Sequence, residues 1–121
     1  MISVGDVLLI PFPKEKKHYH VIVADIAENN CYACVFISSI KDNVPFDNAC
    51  ILRKGDAEFI RHDSYVVYQR LNFIDKADTE RKIEYGIYKK QGTVSIEVLE
   101  RIKAGANISR LIMPRHKKYF K

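Results

Sequence analysis

Val7-Leu8-Leu9-Ile10-Pro11-Phe12 is an unbroken apolar run held between Gly5-Asp6 and Pro13. A run this short, bounded by turn residues, reads as a buried strand. Cys31 to Ser38 has the same character. Both predicted strands are apolar on both faces, so both faces need cover. That fits a closed small barrel packed with other elements better than an open sheet with one wet face.

Reading outward, Lys14-Glu15-Lys16-Lys17 is a charged loop, and His20 to Ala24 is the second strand. Asp25 to Asn30 breaks it before the third strand begins at Cys31. Lys41 to Asn48 is a polar loop, Ala49 to Leu52 a short strand, and Lys54-Gly55-Asp56 a turn. Glu58 to Ser64 is a charged connection into Tyr65 to Asn72, a strand rich in valine and tyrosine. Ile83 to Lys89 reads as a weaker strand, with a turn at Gln91-Gly92. Ser95 to Ala104 is the one convincing helix. Ser95 caps it, Glu97 and Glu100 lie near its positive end, and Val98, Leu99, Ile102 and Ala106 share a face. Glu97 and Arg101 are spaced to pair, and Gly105 is placed to end the helix. The expected fold is mainly β: a small barrel with a C-terminal α-helix packed on it, spanning 1–121 as one domain. Leu8, Ile10, Ile22, Val35, Ile37, Ile51, Val66, Leu99 and Ile102 form the expected core.

With 121 residues, of which 47% are hydrophobic, the chain can bury a core without disulfides or metal. No stretch approaches a membrane span, and Met1 to Asp6 lacks the pattern of a signal peptide, so a soluble cytoplasmic protein with no membrane partner is expected. Cys31, Cys34 and Cys50 are odd in number, which suits a reducing compartment. Cys31-Tyr32-Ala33-Cys34 has the C-x-x-C form but no second ligand pair. It reads as buried structural thiols, with metal or redox chemistry as the alternative; no metal and no cofactor are expected. The net charge of +5 suits a polyanionic partner without proving one. Arg110, Arg115, His116, Lys117, Lys118 and Lys121 make a basic tail from about 110, either frayed and solvated or contacting phosphate.

Several segments resemble, in order and spacing, the PemK/MazF family of toxin endoribonucleases. Gly5-Asp6-Val7-Leu8-Leu9-Ile10 is similar to the opening strand of that family, and His20-Val21-Ile22-Val23 to its second. Phe36-Ile37-Ser38-Ser39 resembles a third strand ending in paired hydroxyl residues, and Tyr68-Gln69-Arg70-Leu71 falls where the family has a strand with Asp-Gln. Lys89 to Ser95, followed by Leu99 to Lys103, resembles its closing turn and C-terminal helix. Ser38-Ser39-Ile40, Ala49-Cys50-Ile51-Leu52, Gly55-Asp56, Phe59-Ile60 and His62-Asp63-Ser64-Tyr65-Val66 resemble a second branch of these barrels. There a histidine before the second strand and a His-x-Ser-Tyr segment recur together, matching His18 and His62. The resemblance implies an SH3-like barrel, a homodimer, an antitoxin protein as partner, and metal-independent cleavage of single-stranded RNA. One departure stands out. Where the well-known toxins carry Arg-Pro, this chain has His18-Tyr19-His20.

Such cleavage uses the neighbouring 2′-hydroxyl as nucleophile. It needs a base, an acid and groups that hold the charge building on phosphate. Histidine suits both proton roles. The candidate catalytic residues are His18, His62, Ser38 and Ser64, converging on one groove; Lys17, Ser39, Arg53, Arg61 and Tyr65 are the candidate RNA contacts. Each has a plainer reading. His18 as a solvated loop residue, His62 and Ser64 as turn residues, and Ser38 and Ser39 as a strand end are all open. His20 reads as a packed strand residue. Tyr65 and Tyr68 either stack bases or pack the barrel. The alternative functions are a catalytically inactive RNA-binding barrel and an antitoxin-binding module of the same family.

Overall fold

In the computed structural model, which describes Met1–Lys121, six strands form one antiparallel sheet that curls into a half-barrel. The strands are β1 (Asp6–Pro11), β2 (Lys17–Ile26), β3 (Cys31–Ser39), β4 (Ile51–Leu52), β5 (Ser64–Asp75) and β6 (Lys89–Thr93), in the order β4-β5-β3-β2-β1-β6. Helix α1 spans Lys76–Glu84 and α2 Ile96–Ile108, with a 3₁₀ turn at Ala27–Asn29 and a 3₁₀ helix at Pro114–Phe120. No helix is long and apolar enough to cross a membrane.

The alternation of side chains along the strands produces two apolar layers. Val7, Val21, Val35, Val66 and Tyr68 join Val98, Ile102 and Ala106 of α2 on one face. Leu8, Ile10, Ile22, Cys34 and Ile74 gather Ile2, Tyr32 and the partly buried Ile83 and Tyr88 on the other. The double-sided apolar reading of β1 and β3 is therefore satisfied by cover on both faces. Seven of the nine expected core residues are buried, while Ile51 and Leu99 are only partly so. Gly5, with φ +96, ties the start of β1 to β2 and to the residues leading into α2: its N–H donates to Ile22 and its carbonyl accepts from Val94, a conformation that side chains resist.

The segment expected as a strand at Ile83–Lys89 is instead the end of α1 and a turn, and the strand lies later, at Lys89–Thr93. Asp75 caps α1 by accepting from the Asp78 N–H at 2.8 Å, and Asp78 pairs with Lys82 one turn on at 3.0 Å. These local bonds outweigh the weak β preference of a few residues. Every residue of β6 is exposed. The strand is held by its ladder to β1 and by Thr93 donating to Asp6 at 2.9 Å, a buried carboxylate that also accepts from the Ser3 N–H.

One expectation for α2 holds and two do not. Ser95 does cap it, accepting from Val98 N–H at 3.1 Å. Gly105, however, lies inside the helix rather than ending it, where a β-carbon would run into the Tyr68 hydroxyl and ring and the Cys50 side chain. Arg101 does not pair with Glu97. It reaches Asp56 at 3.1 Å and donates to the Ile51 carbonyl at 2.8 Å, clamping α2 to β4 and its following turn. The basic segment from 110 is not frayed. Ile112 and Phe120 are buried, and Phe120 packs edge-on to Tyr68 at 5.5 Å.

Candidate functional site

The adjoining ends of β2 and β3 and the connection before β5 enclose an open groove of about 430 Å³. Tyr19, Ile37, Phe59 and Ile60 form its apolar part, and Tyr19 and Phe59 stack at 4.7 Å. Lys16, Lys17, Lys41 and Arg61 line it, and no carboxylate does. None of the four cations is engaged in an ion pair. Four uncompensated charges around one concavity make a positive potential suited to an anion.

His62 is held in this groove from several directions. Ser39 Oγ and His62 Nε2 are 2.5 Å apart. Ser64 Oγ donates to the His62 carbonyl at 2.9 Å, and the Ile40 N–H donates to the Asp63 carbonyl at 3.0 Å. The register explains the arrangement: Ser39 faces Ser64 across the last pair of the β3–β5 ladder, so a loop ending at Ser64 returns its histidine to Ser39. With Nε2 occupied by Ser39, His62 Nδ1 is the ring nitrogen left for chemistry. Ser64 lines the groove as expected, but its hydroxyl hydrogen is committed to the His62 backbone.

His18 borders the same groove from the other side. Its Nδ1 lies 3.0 Å from the carbonyl oxygens of both Phe12 and Lys16. Carbonyls only accept, so Nδ1 carries a hydrogen and Nε2 is the free nitrogen. The ring packs on Phe36 at 4.9 Å, and Phe36 also meets His20 at 5.5 Å. His20 is fully buried and donates through Nε2 to the Phe12 carbonyl at 3.3 Å. Burial, ahead of the other influences, lowers its pKa to about 4, so it is a neutral packed residue at pH 7.

The groove thus brings together His18, His62, Ser38, Ser39, Ser64, Lys17 and Arg61 from the sequence-derived set. It does not include Arg53 or Tyr65. Arg53 is paired with Asp63 at 2.7 Å and braces the loop behind His62. Tyr65, one residue beyond Ser64 on the strand, packs on Phe46 at 5.2 Å away from the groove. Tyr68 is buried and donates to the Ile102 carbonyl at 2.6 Å, a packing role. Sequence reading missed Lys16 and Lys41. A cation just past the Ser38-Ser39 pair was the available signal for Lys41. The bond between Ser39 and His62 joins residues 23 apart, and no local pattern announces it.

Cys31, Cys34 and Cys50 are free thiols. Cys34 packs in one apolar layer while Cys31 packs against the other, on opposite faces of β3. Burial drives the Cys34 thiol far above its ordinary pKa, which leaves it inert. No three His, Cys, Asp or Glu side chains stand close enough to hold a metal ion. No protein-family model and no curated protein matches the chain.

Proposed function

We propose that the protein is a PemK/MazF-like endoribonuclease of a toxin–antitoxin system, an SH3-like barrel that cleaves single-stranded RNA without metal. The observation that carries this reading is a groove with four unpaired cations, no carboxylate and two imidazoles, each with a free ring nitrogen. In the proposed step one imidazole takes the proton of the 2′-hydroxyl, whose oxygen bonds to phosphorus. The bond from phosphorus to the 5′-oxygen breaks, and the other imidazole protonates that oxygen. The products are a 2′,3′-cyclic phosphate and a 5′-hydroxyl. Lys17, Lys41 and Arg61 hold the charge on the phosphoryl oxygens in place of the family's arginine, and Ser38 donates to them. Ser39 orients His62. A homodimer in the cytoplasm, neutralised by an antitoxin protein, belongs to the same reading.

The test is incubation of the pure protein with a long single-stranded RNA in EDTA. Cyclic-phosphate ends are expected, and His62→Ala or His18→Ala should slow their formation by about 10²–10⁴-fold. The packing of His18 on Phe36, with Nδ1 held by backbone carbonyls, favours a second reading: a barrel that binds RNA or an antitoxin without cutting. RNA left intact by folded protein, across varied substrates, would select that reading and reject cleavage.

A further inference from the structure

A second surface, made of none of the groove's residues, has the chemistry of a nucleic-acid contact. Arg110, Arg115, Lys117, Lys118 and Lys121 crowd residues 110–121, which contain no acidic residue. None of these cations is in an ion pair. The 3₁₀ helix Pro114–Phe120 is anchored by buried Phe120, so Arg115, Lys117 and Lys118 are displayed on an ordered element. Beside them Phe73 of β5 is 44% exposed, an unusual place for a phenyl ring. It meets Tyr119 edge-on at 5.4 Å and His116 at 5.7 Å, while Lys118 Nζ lies 5.2 Å over the Tyr119 ring. The depression on the β2 side of this helix holds Lys103, Lys118 and Lys121 against Asp25 and Glu28, and Asp25 is already taken by Lys76 at 2.6 Å. The local balance therefore stays positive.

Cations alone would suit any polyanion. The exposed Phe73 ring, with the partly buried Tyr119 ring beside it, favours one whose bases are free to stack, a single strand. We propose that Phe73, Tyr119 and the cations of the 3₁₀ helix form a second binding surface for single-stranded RNA. Phe73 and Ser64 are nine residues apart on β5, at most about 30 Å at ~3.3 Å per residue. The surface goes beyond the cleavage reading and does not need it.

His116 supplies a direct reporter. Burial, then the charges of Arg115 and Lys118, hold its pKa below the ordinary imidazole value. The other neighbours facing it are Phe73 from β5, which does not titrate, and Tyr119. Phosphate bound among Arg115 and Lys118 offsets their repulsion, so the His116 titration midpoint followed by NMR rises when RNA binds. The main experiment is fluorescence anisotropy with a labelled, mixed-sequence single-stranded RNA of about 20 nucleotides, longer than one small barrel's site. It is run in the His62→Ala background, which separates binding from any cleavage. Replacing Arg115, Lys117 and Lys118 together by Gln is expected to reduce the slope of log affinity against log salt by about 2. Phe73→Leu, which keeps the apolar bulk, is expected to weaken RNA about fivefold or more while leaving heparin, a polyanion without bases, unaffected. Wild-type affinity and slope in the triple variant, or no effect of Phe73→Leu, overturns the proposal. So does equal dependence on Phe73 for duplex RNA or for a poly-glutamate peptide, the latter assigning the surface to an acidic protein. Failure of wild-type protein to cut RNA leaves these outcomes intact, so the two readings fail separately.

Discussion

His20 and His62 show how place decides what an imidazole does. His20 is sealed between Phe12 and Phe36, and burial keeps it neutral. Its pKa is 6.5 in the unfolded chain and about 4 in the folded one, so between those values the unfolded state binds the extra proton. Stability is full above about pH 6.5 and falls as the pH drops through this window, by ~3 kcal/mol at most. Urea unfolding at pH 7 and pH 4.5 should show that loss in the wild type and a smaller one in His20→Gln; an identical loss in both would assign the pH dependence elsewhere. His62, two residues before the start of the β5 ladder pair, is exposed and bonded to a serine. Removing that serine leaves the ring free to rotate. If the proposed cleavage occurs, Ser39→Ala is expected to lower it by roughly tenfold or more while RNA binding stays near wild type, since misplacing a proton-transfer group costs rate steeply. A parallel loss of binding would show Ser39 to be a substrate contact instead.

Helix α2 is the element on which the barrel's face closes, and its fit is tightest at Gly105. A glycine inside an exposed helix is normally about 1 kcal/mol worse than alanine. Here the sign reverses, because a β-carbon at Gly105 would run into the Tyr68 hydroxyl and ring and into Cys50. Gly105→Ala is expected to destabilise by about 1–3 kcal/mol through overpacking. Tyr68→Phe alone costs about 1 kcal/mol for the lost bond to Ile102. Combined, the two should cost less than their sum, because removing the hydroxyl makes room for the methyl group. Strict additivity in thermal unfolding would mean that the helix shifts instead. The same element also explains Arg101, whose clamp on Asp56 and Ile51 fixes the short β4 against α2. That bond holds the Asp56 carboxyl below its usual range.

Over the whole molecule, positive charge is gathered rather than spread. Unpaired cations ring the groove, and others stud the 3₁₀ helix Pro114–Phe120, while Asp6, Asp25, Asp56, Asp63 and Asp78 pair with other cations elsewhere. A net charge of +5 therefore understates the field at either surface. Lys41→Gln, at a groove position that makes no ion pair, should lower the salt slope of RNA affinity by about 0.7 with no change in thermal stability. An unchanged slope would place the RNA path off the groove.

The strands β1, β2, β3 and β5, the cap at Ser95 and most of the core could be read in sequence because each is written locally, in apolar runs, alternation and turn residues. The segment around α1 and β6 could not. A capping bond from Asp75 and a ladder to β1 outweighed a faint residue preference there, and the ladder is a contact between residues some eighty positions apart. Composition and resemblance pointed to His18, His62, Ser38, Ser39 and Ser64 as candidates and to a groove shared by the two histidines, Ser38 and Ser64. That Ser39 holds His62, that Arg53 and Tyr65 face elsewhere and that Lys41 joins the rim are decided by strand register. Register depends on how apolar faces meet across the sheet, so it exists only once the chain has closed on itself.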